Sequence, residues 1–289
     1  MQNVNRNLVY DVGMHKGEDT AYYLKKGFDV VAFEADPELI AICKDKYSKE
    51  INEDKLIIIE GAIVDKSKVA DKTIKFYKNQ TLSVLGTVVQ EWSIRNDKLG
   101  TESTIIEVPT TDFRKCLEEF GIPYYLKIDI EGMDIVCLKS LLHFKSKPNY
   151  ISIESEKVNF GRLIKEFDLF ESLGYDKYQI INQGDITKSK EPTESKEGRT
   201  LNYTFKSGSS GLFGSDFQTP WINKKTALWK YRWIFFGYKL WGDNSRIKKW
   251  FIMKLIRRIH AKVMKNSIPG WYDTHARHSL IEKTKNNKS

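Results

Sequence analysis

The sequence predicts a doubly wound α/β domain with a mostly parallel sheet, followed by a basic helical appendage. Three observations carry this reading: apolar runs that alternate with helix-like stretches, a glycine turn closing the first run, and an abrupt change of composition after Pro220. The run LVYDVG stops at Gly13, and DTAYYLKKG reads as a helix ending on Gly27, which together make strand, turn and helix. DVVAFEAD is a near-continuous apolar run, as a strand buried on both faces requires. PELIAICKDKYSKEI is a helix with proline in its first turn, and KLIIIEGAI is a third strand. The alternation continues with TDFRKCLEEFG as helix, YYLKIDIEG as strand, MDIVCLKSLLHF as helix, NYISIES as strand and GRLIKEFDLFESLG as helix. YDKYQIIN and TLNYTFKS, separated by the polar TKSKEPTESKEG, are expected to form a β-hairpin closing one edge. Residues 75–104 are mixed, with only IKFYKN strand-like. Residues 207–220, SGSSGLFGSDFQTP, read as an irregular loop whose Leu212, Phe213 and Phe217 require burial. The expected division is a domain over residues 1–206 and an appendage over 207–289.

At 289 residues the chain has room for a sizeable core, and its 40% hydrophobic and 29% charged content is ordinary for a globular protein. No run of 18 or more apolar residues offers a membrane span. The N-terminus MQNVNRNLVYDVG has no basic flank followed by an apolar run and a small-residue cleavage site, so a cytoplasmic protein is expected. Cys43, Cys116 and Cys137 lack metal-type spacing and are expected to be reduced, buried thiols. The net charge of +9 is unevenly spread, because residues 221–265 carry thirteen Lys or Arg against Asp243 alone. The first 220 residues are therefore acidic. This basic, aromatic block reads as two amphipathic helices broken near Gly242, with Ile252, Leu255, Ile256, Ile259 and Val263 on one face of the second. It suits an anionic acceptor, the inner surface of an anionic membrane or a homodimer contact.

The first βα turn, DVGMHKG, places Asp11, Gly13 and Gly17 ahead of an acid, Glu34, at the end of the next strand. In an open α/β sheet this is a nucleoside crevice, where an acid accepts ribose hydroxyls. A dinucleotide site uses G-x-G-x-x-G, and here His15 stands where the pyrophosphate glycine belongs. That argues against NAD. Asp11 beside the turn suits a cationic ligand better than an anionic one. In KIDIEG, Asp129 interrupts an apolar run and Glu131 follows on the same side two residues later. A carboxylate there either faces a reacting group or pairs with Lys127 as scaffold; Glu131 either assists or caps the next helix. Glu154 and Glu156 end the following strand, and nothing in their spacing requires a metal. Of the histidines, His143 and His260 read as surface. His275, in WYDTHARH, lies in a cluster that either folds over the crevice or frays.

The blocks VYDVGMHKGEDTAYYLKKGFDVVAFEADP, YYLKIDIEGMDIVCLKSL, GSSGLFGSD and WYDTHAR resemble the FkbM family of methyltransferases. The resemblance implies a Rossmann-like class I methyltransferase fold, S-adenosylmethionine as cofactor, and methyl transfer to an oxygen, often a sugar or natural-product hydroxyl. It implies that Asp11, Gly13, Gly17 and Glu34 hold the cofactor and that Asp129 faces the methyl-transfer centre. Beside these, His15, Thr20, Ala62 and Asp129 are further candidates for cofactor binding, Asp129, Glu131 and His275 are the catalytic candidates, and no metal site is expected. The basic insert between Pro220 and Trp271 departs from the family pattern. Two other readings stay open: an RNA-directed methyltransferase, disfavoured because no RNA-binding module is visible, and a membrane-surface protein with a non-catalytic domain of this fold.

Overall fold

Leu8 to Val12 are all buried, as the apolar run that opens the chain requires of a central strand. A computed structural model describes residues 3–79, 86–89, 103–130, 132–156, 158–241 and 271–281. The chain divides into two units, residues 1–153 with 193–201, and residues 154–192 with 202–289. The boundary expected from the sequence lies at residue 206, where the run TLNYTFKS gives way to the glycine- and serine-rich loop.

In the first unit the elements run β1 (Val4–Val12), α1 (Glu18–Lys26), β2 (Asp29–Glu34), α2 (Pro37–Lys46), α3 (Ser48–Asn52), β3 (Leu56–Glu60), β4 (Ala62–Ile63), β5 (Thr73–Asn79), β6 (Ser103–Thr111), α4 (Phe113–Phe120), β7 (Ile122–Ile128), α5 (Asp134–Ser140) and β8 (Tyr150–Glu154). Strands β3, β2, β1, β7 and β8 lie side by side in that order and pair in parallel. The order reverses between β1 and β7, so their carboxyl ends flank the crevice of a doubly wound sheet. The helices start where their caps dictate. Asp36 accepts the N–H of Glu38 ahead of Pro37, and Asp112 accepts those of Arg114 and Lys115. Tyr10, Phe33 and Phe113 meet edge-to-face or tilted in the core, with centroids 5.5–6.1 Å apart. All three cysteines are free and buried, and burial pushes the thiols of Cys43 and Cys116 up to about 11.

KLIIIEGAI is not one strand. Gly61, at φ +118°, ends β3, and a Cβ there would sit 2.6 Å from the Pro109 carbonyl oxygen. The chain turns at this glycine, and β4 joins a second sheet of order β4, β6, β5, in which β5 and β6 are antiparallel. The strand-like IKFYKN is thus β5.

In the second unit, α6 (Phe160–Ser172), β9 (Tyr175–Asn182), α7 (Lys224–Trp241) and β10 (Tyr272–His278) pack together. Here the expected hairpin is corrected. β9 pairs antiparallel with β10, while TLNYTFKS contributes an isolated bridge from Thr204 to Lys190. The WYDTHARH segment is therefore an ordered strand. Phe213 is buried in the 207–220 loop as expected. Helix α7 is the first of the two expected appendage helices and buries Ala227, Tyr231 and Ile234. The second, with Ile252 to Val263, lies outside the described residues.

Candidate cofactor site at the ends of β1, β2 and β7

The turn after β1 is built by close backbone approach. Gly13 has φ +85°, and a Cβ on it would lie 2.0 Å from the Asp129 carbonyl oxygen, so only glycine lets the ends of β1 and β7 meet. The N–H groups of Gly13 and Met14 both donate to the Phe33 carbonyl, at 3.1 and 2.9 Å, and that of Gly17 donates to Met14 at 2.9 Å. The His15 N–H donates to Glu34 Oε2 at 2.8 Å, while its ring lies 3.3 Å from Glu18. Four donors of the turn are consequently spent inside the protein. A pyrophosphate-binding turn needs such donors free.

Glu34 ends β2 half-buried. Besides the His15 N–H, it accepts those of Ala35 (2.8 Å) and Asp36 (2.9 Å) on Oε1. A carboxylate offers about four acceptor sites. Three are used, which holds the group rigid and leaves room on Oε2 for one more donor. Burial raises its pKa, and the three N–H groups only partly counter this.

Asp11 and Thr20 lie beneath the turn, both fully buried. The Thr20 hydroxyl donates to Asp11 Oδ2 at 2.6 Å, and Lys127 Nζ stands 3.2 Å from Oδ1. Lys127 also donates to the Gly13 carbonyl at 2.8 Å and approaches Asp19 (3.8 Å) and Asp129 (3.9 Å). Burial opposes its charge, but Asp11, Asp129 and Asp19 outweigh that and hold the ammonium above the ordinary lysine value. Asp129 is not the buried strand carboxylate expected from the sequence. β7 stops at Ile128, and the Asp129 side chain is 50% exposed just beyond it.

Ala62 is buried in β4 against Phe76 and Val108. Gly17 precedes α1, and its carbonyl accepts the Tyr47 hydroxyl at 2.6 Å. Glu131 lies outside the described residues. His275 is buried in β10 with its ring edge-on to Phe217 at 4.8 Å, and burial lowers its pKa to about 3. Glu156 accepts the N–H groups of Val158 and Asn159. No group of three or more His, Cys, Asp or Glu suited to a metal occurs among the described residues.

The structure thus gathers Asp11, Gly13, His15, Gly17, Thr20, Glu34 and Asp129 around one turn. It adds three residues that the sequence reading did not assign to the site: Asp19, Tyr47 and Lys78. Lys78, on β5, approaches Asp36 at 3.2 Å and pins the loop after Glu34 from the second sheet. Only Asp19 left a legible signal, as a carboxylate two residues past the turn glycine in the first turn of α1.

A family model for the methyltransferase FkbM domain matches residues 11–177. No curated protein sequence matches the chain. Among solved structures, the chain is similar to a methyltransferase FkbM from Methylobacillus flagellatus, with 15% identity, 62% of this chain and 40% of that one covered, and a TM-score of 0.36. It is also similar to a SAM-dependent methyltransferase from Archaeoglobus fulgidus (10% identity, 94% and 86% covered, TM-score 0.36). A third is the precorrin-6y C5,15-methyltransferase of Geobacter metallireducens (14% identity, 70% and 77% covered, TM-score 0.34).

Proposed function

The chain belongs to the FkbM methyltransferase family, and we propose that it transfers the methyl group of S-adenosylmethionine to a hydroxyl oxygen of a sugar, a glycan or a related small molecule. S-adenosylmethionine is the cofactor that this family implies, and the residues of the turn fit it. The observation that carries the fit is Glu34, fixed by three N–H groups with acceptor capacity to spare, beside a turn whose own donors are used up. That combination serves a ribose without serving a pyrophosphate. When bound, the cofactor supplies a methyl carbon made electrophilic by a sulfonium.

Glu34 would accept from the ribose hydroxyls, and Gly13 keeps the ends of β1 and β7 close enough to set Asp129 beside the same turn. Asp129, half-exposed at the carboxyl end of β7, is the proposed acceptor of the hydroxyl proton. Lys127 Nζ stands 3.9 Å from its Oδ2. Positioning is the main contribution expected of such a site, with the base adding roughly 10²–10⁴-fold. His275, buried and neutral, is in this reading a packing residue of its own unit. The buried thiols support a cytoplasmic setting.

The test is incubation of the full chain with methyl-labelled S-adenosylmethionine and a panel of nucleotide sugars, oligosaccharides and bulk RNA. The label is expected as an O-methyl ether on a sugar hydroxyl. Asp129→Asn should lower turnover about a hundredfold or more while leaving S-adenosylhomocysteine affinity nearly unchanged. Label on RNA alone would overturn the acceptor class. Near-normal turnover of Asp129→Asn would remove it as the base.

A further inference from the structure

Helix α7 shows an arrangement that methyl transfer does not use. Its buried side chains, Ala227, Tyr231 and Ile234, recur at helical spacing on one side. On the opposite side stand Trp229, Trp233 and Phe236, exposed by 58%, 43% and 46%. The rings meet edge-to-face, Trp229 to Trp233 at 6.1 Å and Trp233 to Phe236 at 6.0 Å, and so form one continuous ridge. Exposed lysines and an arginine border it: by helical geometry Arg232 and Lys239 fall on one flank, Lys230 on the other, and Lys225 continues it towards the helix start. The helix contains no acidic residue. Lys224, on the inner side, is instead paired to Asp168 and Glu171 at 2.7 and 2.8 Å. The cations of this helix are therefore sorted: Lys224 turns to carboxylates within its own unit, the Arg232 guanidinium lies over the Phe160 ring at 5.9 Å, and the exposed Lys225, Lys230 and Lys239 flank the aromatic ridge.

We propose that this face of α7 docks on an anionic lipid bilayer, with Trp229, Trp233 and Phe236 at headgroup level and Lys225, Lys230 and Lys239 beside lipid phosphates. Tryptophan prefers the bilayer interface because its ring is apolar while its N–H stays solvated. Left in water, a contiguous apolar patch of this kind marks a contact surface. Basic residues flanking an aromatic strip complement the negative surface potential of a membrane. A single-stranded nucleic acid would instead need a groove that tracks its backbone and ring faces open for stacking, whereas this ridge is convex and its rings pack against one another. Among the described residues no helix is long and apolar enough to cross a membrane, so the attachment proposed is peripheral.

The experiment is co-sedimentation of the full chain with vesicles of phosphatidylcholine containing roughly a third phosphatidylglycerol, and with phosphatidylcholine alone, at low and raised salt. Binding is expected to the anionic vesicles and to weaken with salt, with tryptophan fluorescence quenched by brominated lipid. Trp229→Ser with Trp233→Ser should lower partitioning at least about tenfold while the basic residues beyond position 241 remain intact. Its melting temperature and S-adenosylhomocysteine affinity serve as folding controls. Should that variant fail to fold, Lys225→Glu with Lys230→Glu and Lys239→Glu, all at exposed positions, should give the same loss. The proposal is overturned by absence of binding to anionic vesicles, or by unchanged binding in folded variants. It is equally overturned if the substitutions abolish RNA binding or self-association and leave lipid binding as it was.

Discussion

Glu34 shows how one side chain converts local geometry into a measurable pH dependence. Three N–H donors favour its charged form, yet burial outweighs them and its pKa is raised. As pH falls through that raised value the carboxylate takes a proton and loses the acceptor capacity that a ribose requires. S-adenosylhomocysteine affinity should therefore be level near neutrality and fall on the acid side, with a midpoint above the ordinary glutamate value. Glu34→Ala should cost about 1.5–3 kcal/mol of binding and abolish that dependence in calorimetric titrations. His275 carries the opposite sign. Burial depresses its pKa from 6.5 to about 3, so below pH 6.5 the unfolded chain binds a proton that the folded chain refuses. The stability it contributes is complete above pH 6.5 and drains away as pH falls towards 3. Between pH 7 and 5.5 the loss should be about 1 kcal/mol in denaturant unfolding, and a folded His275→Phe variant should show a flatter profile.

At the scale of elements, the site depends on how closely two parallel strand ends can approach. Gly13 stands between β1 and β7, where any side chain would strike the Asp129 backbone. Gly13→Ala should lower stability by roughly 2 kcal/mol or more, and should weaken S-adenosylhomocysteine binding further than Glu34→Ala does, because it displaces the whole turn, including the His15 N–H that holds Glu34. Thermal unfolding and calorimetry on the same sample would check both. The second unit shows why the strand partner of β9 escaped the sequence pattern. β10 places Asp273, Thr274 and His275 in a row, without the apolar alternation by which strands are recognised. Their polarity is absorbed by partners distant in sequence. Asp273 accepts from Gln183 at 2.6 Å, and the Thr274 hydroxyl meets those of Ser155 and Tyr231, each at 2.7 Å. TLNYTFKS does alternate, yet only Phe205 is buried within it.

For the whole molecule, ligand choice is the property with the widest consequence. A ligand that binds only the folded state raises stability by about 2.7 kcal/mol at a hundred times its Kd. S-adenosylhomocysteine should therefore raise the melting temperature in a concentration-dependent way, and NAD at equal concentration should not, since the N–H groups of Gly13, Met14, His15 and Gly17 already have partners. An equal shift with NAD would contradict the reading of the turn. The net charge of the chain resides in residues 221–265. A response to ionic strength that involves this block should accordingly leave the affinity for S-adenosylhomocysteine, a zwitterionic thioether nucleoside of zero net charge, largely unmoved.

The sequence by itself determined the α/β class, the strand–turn–helix start, and the turn and acid of the cofactor crevice. These are written in local signals: apolar runs such as DVVAFE, glycines at fixed offsets, capping residues beside proline, and an acid at a strand end. Tertiary structure alone decided the partner of β9, the escape of β4 into a second sheet at Gly61, and the exposure of Asp129 beyond the end of β7. It also decided that Lys127 would gather Asp11, Asp19 and Asp129 around one buried ammonium. Each of these depends on residues that meet only after folding. A buried polar group is tolerated through partners that the chain brings from elsewhere, and no local pattern of hydrophobicity records where those partners are.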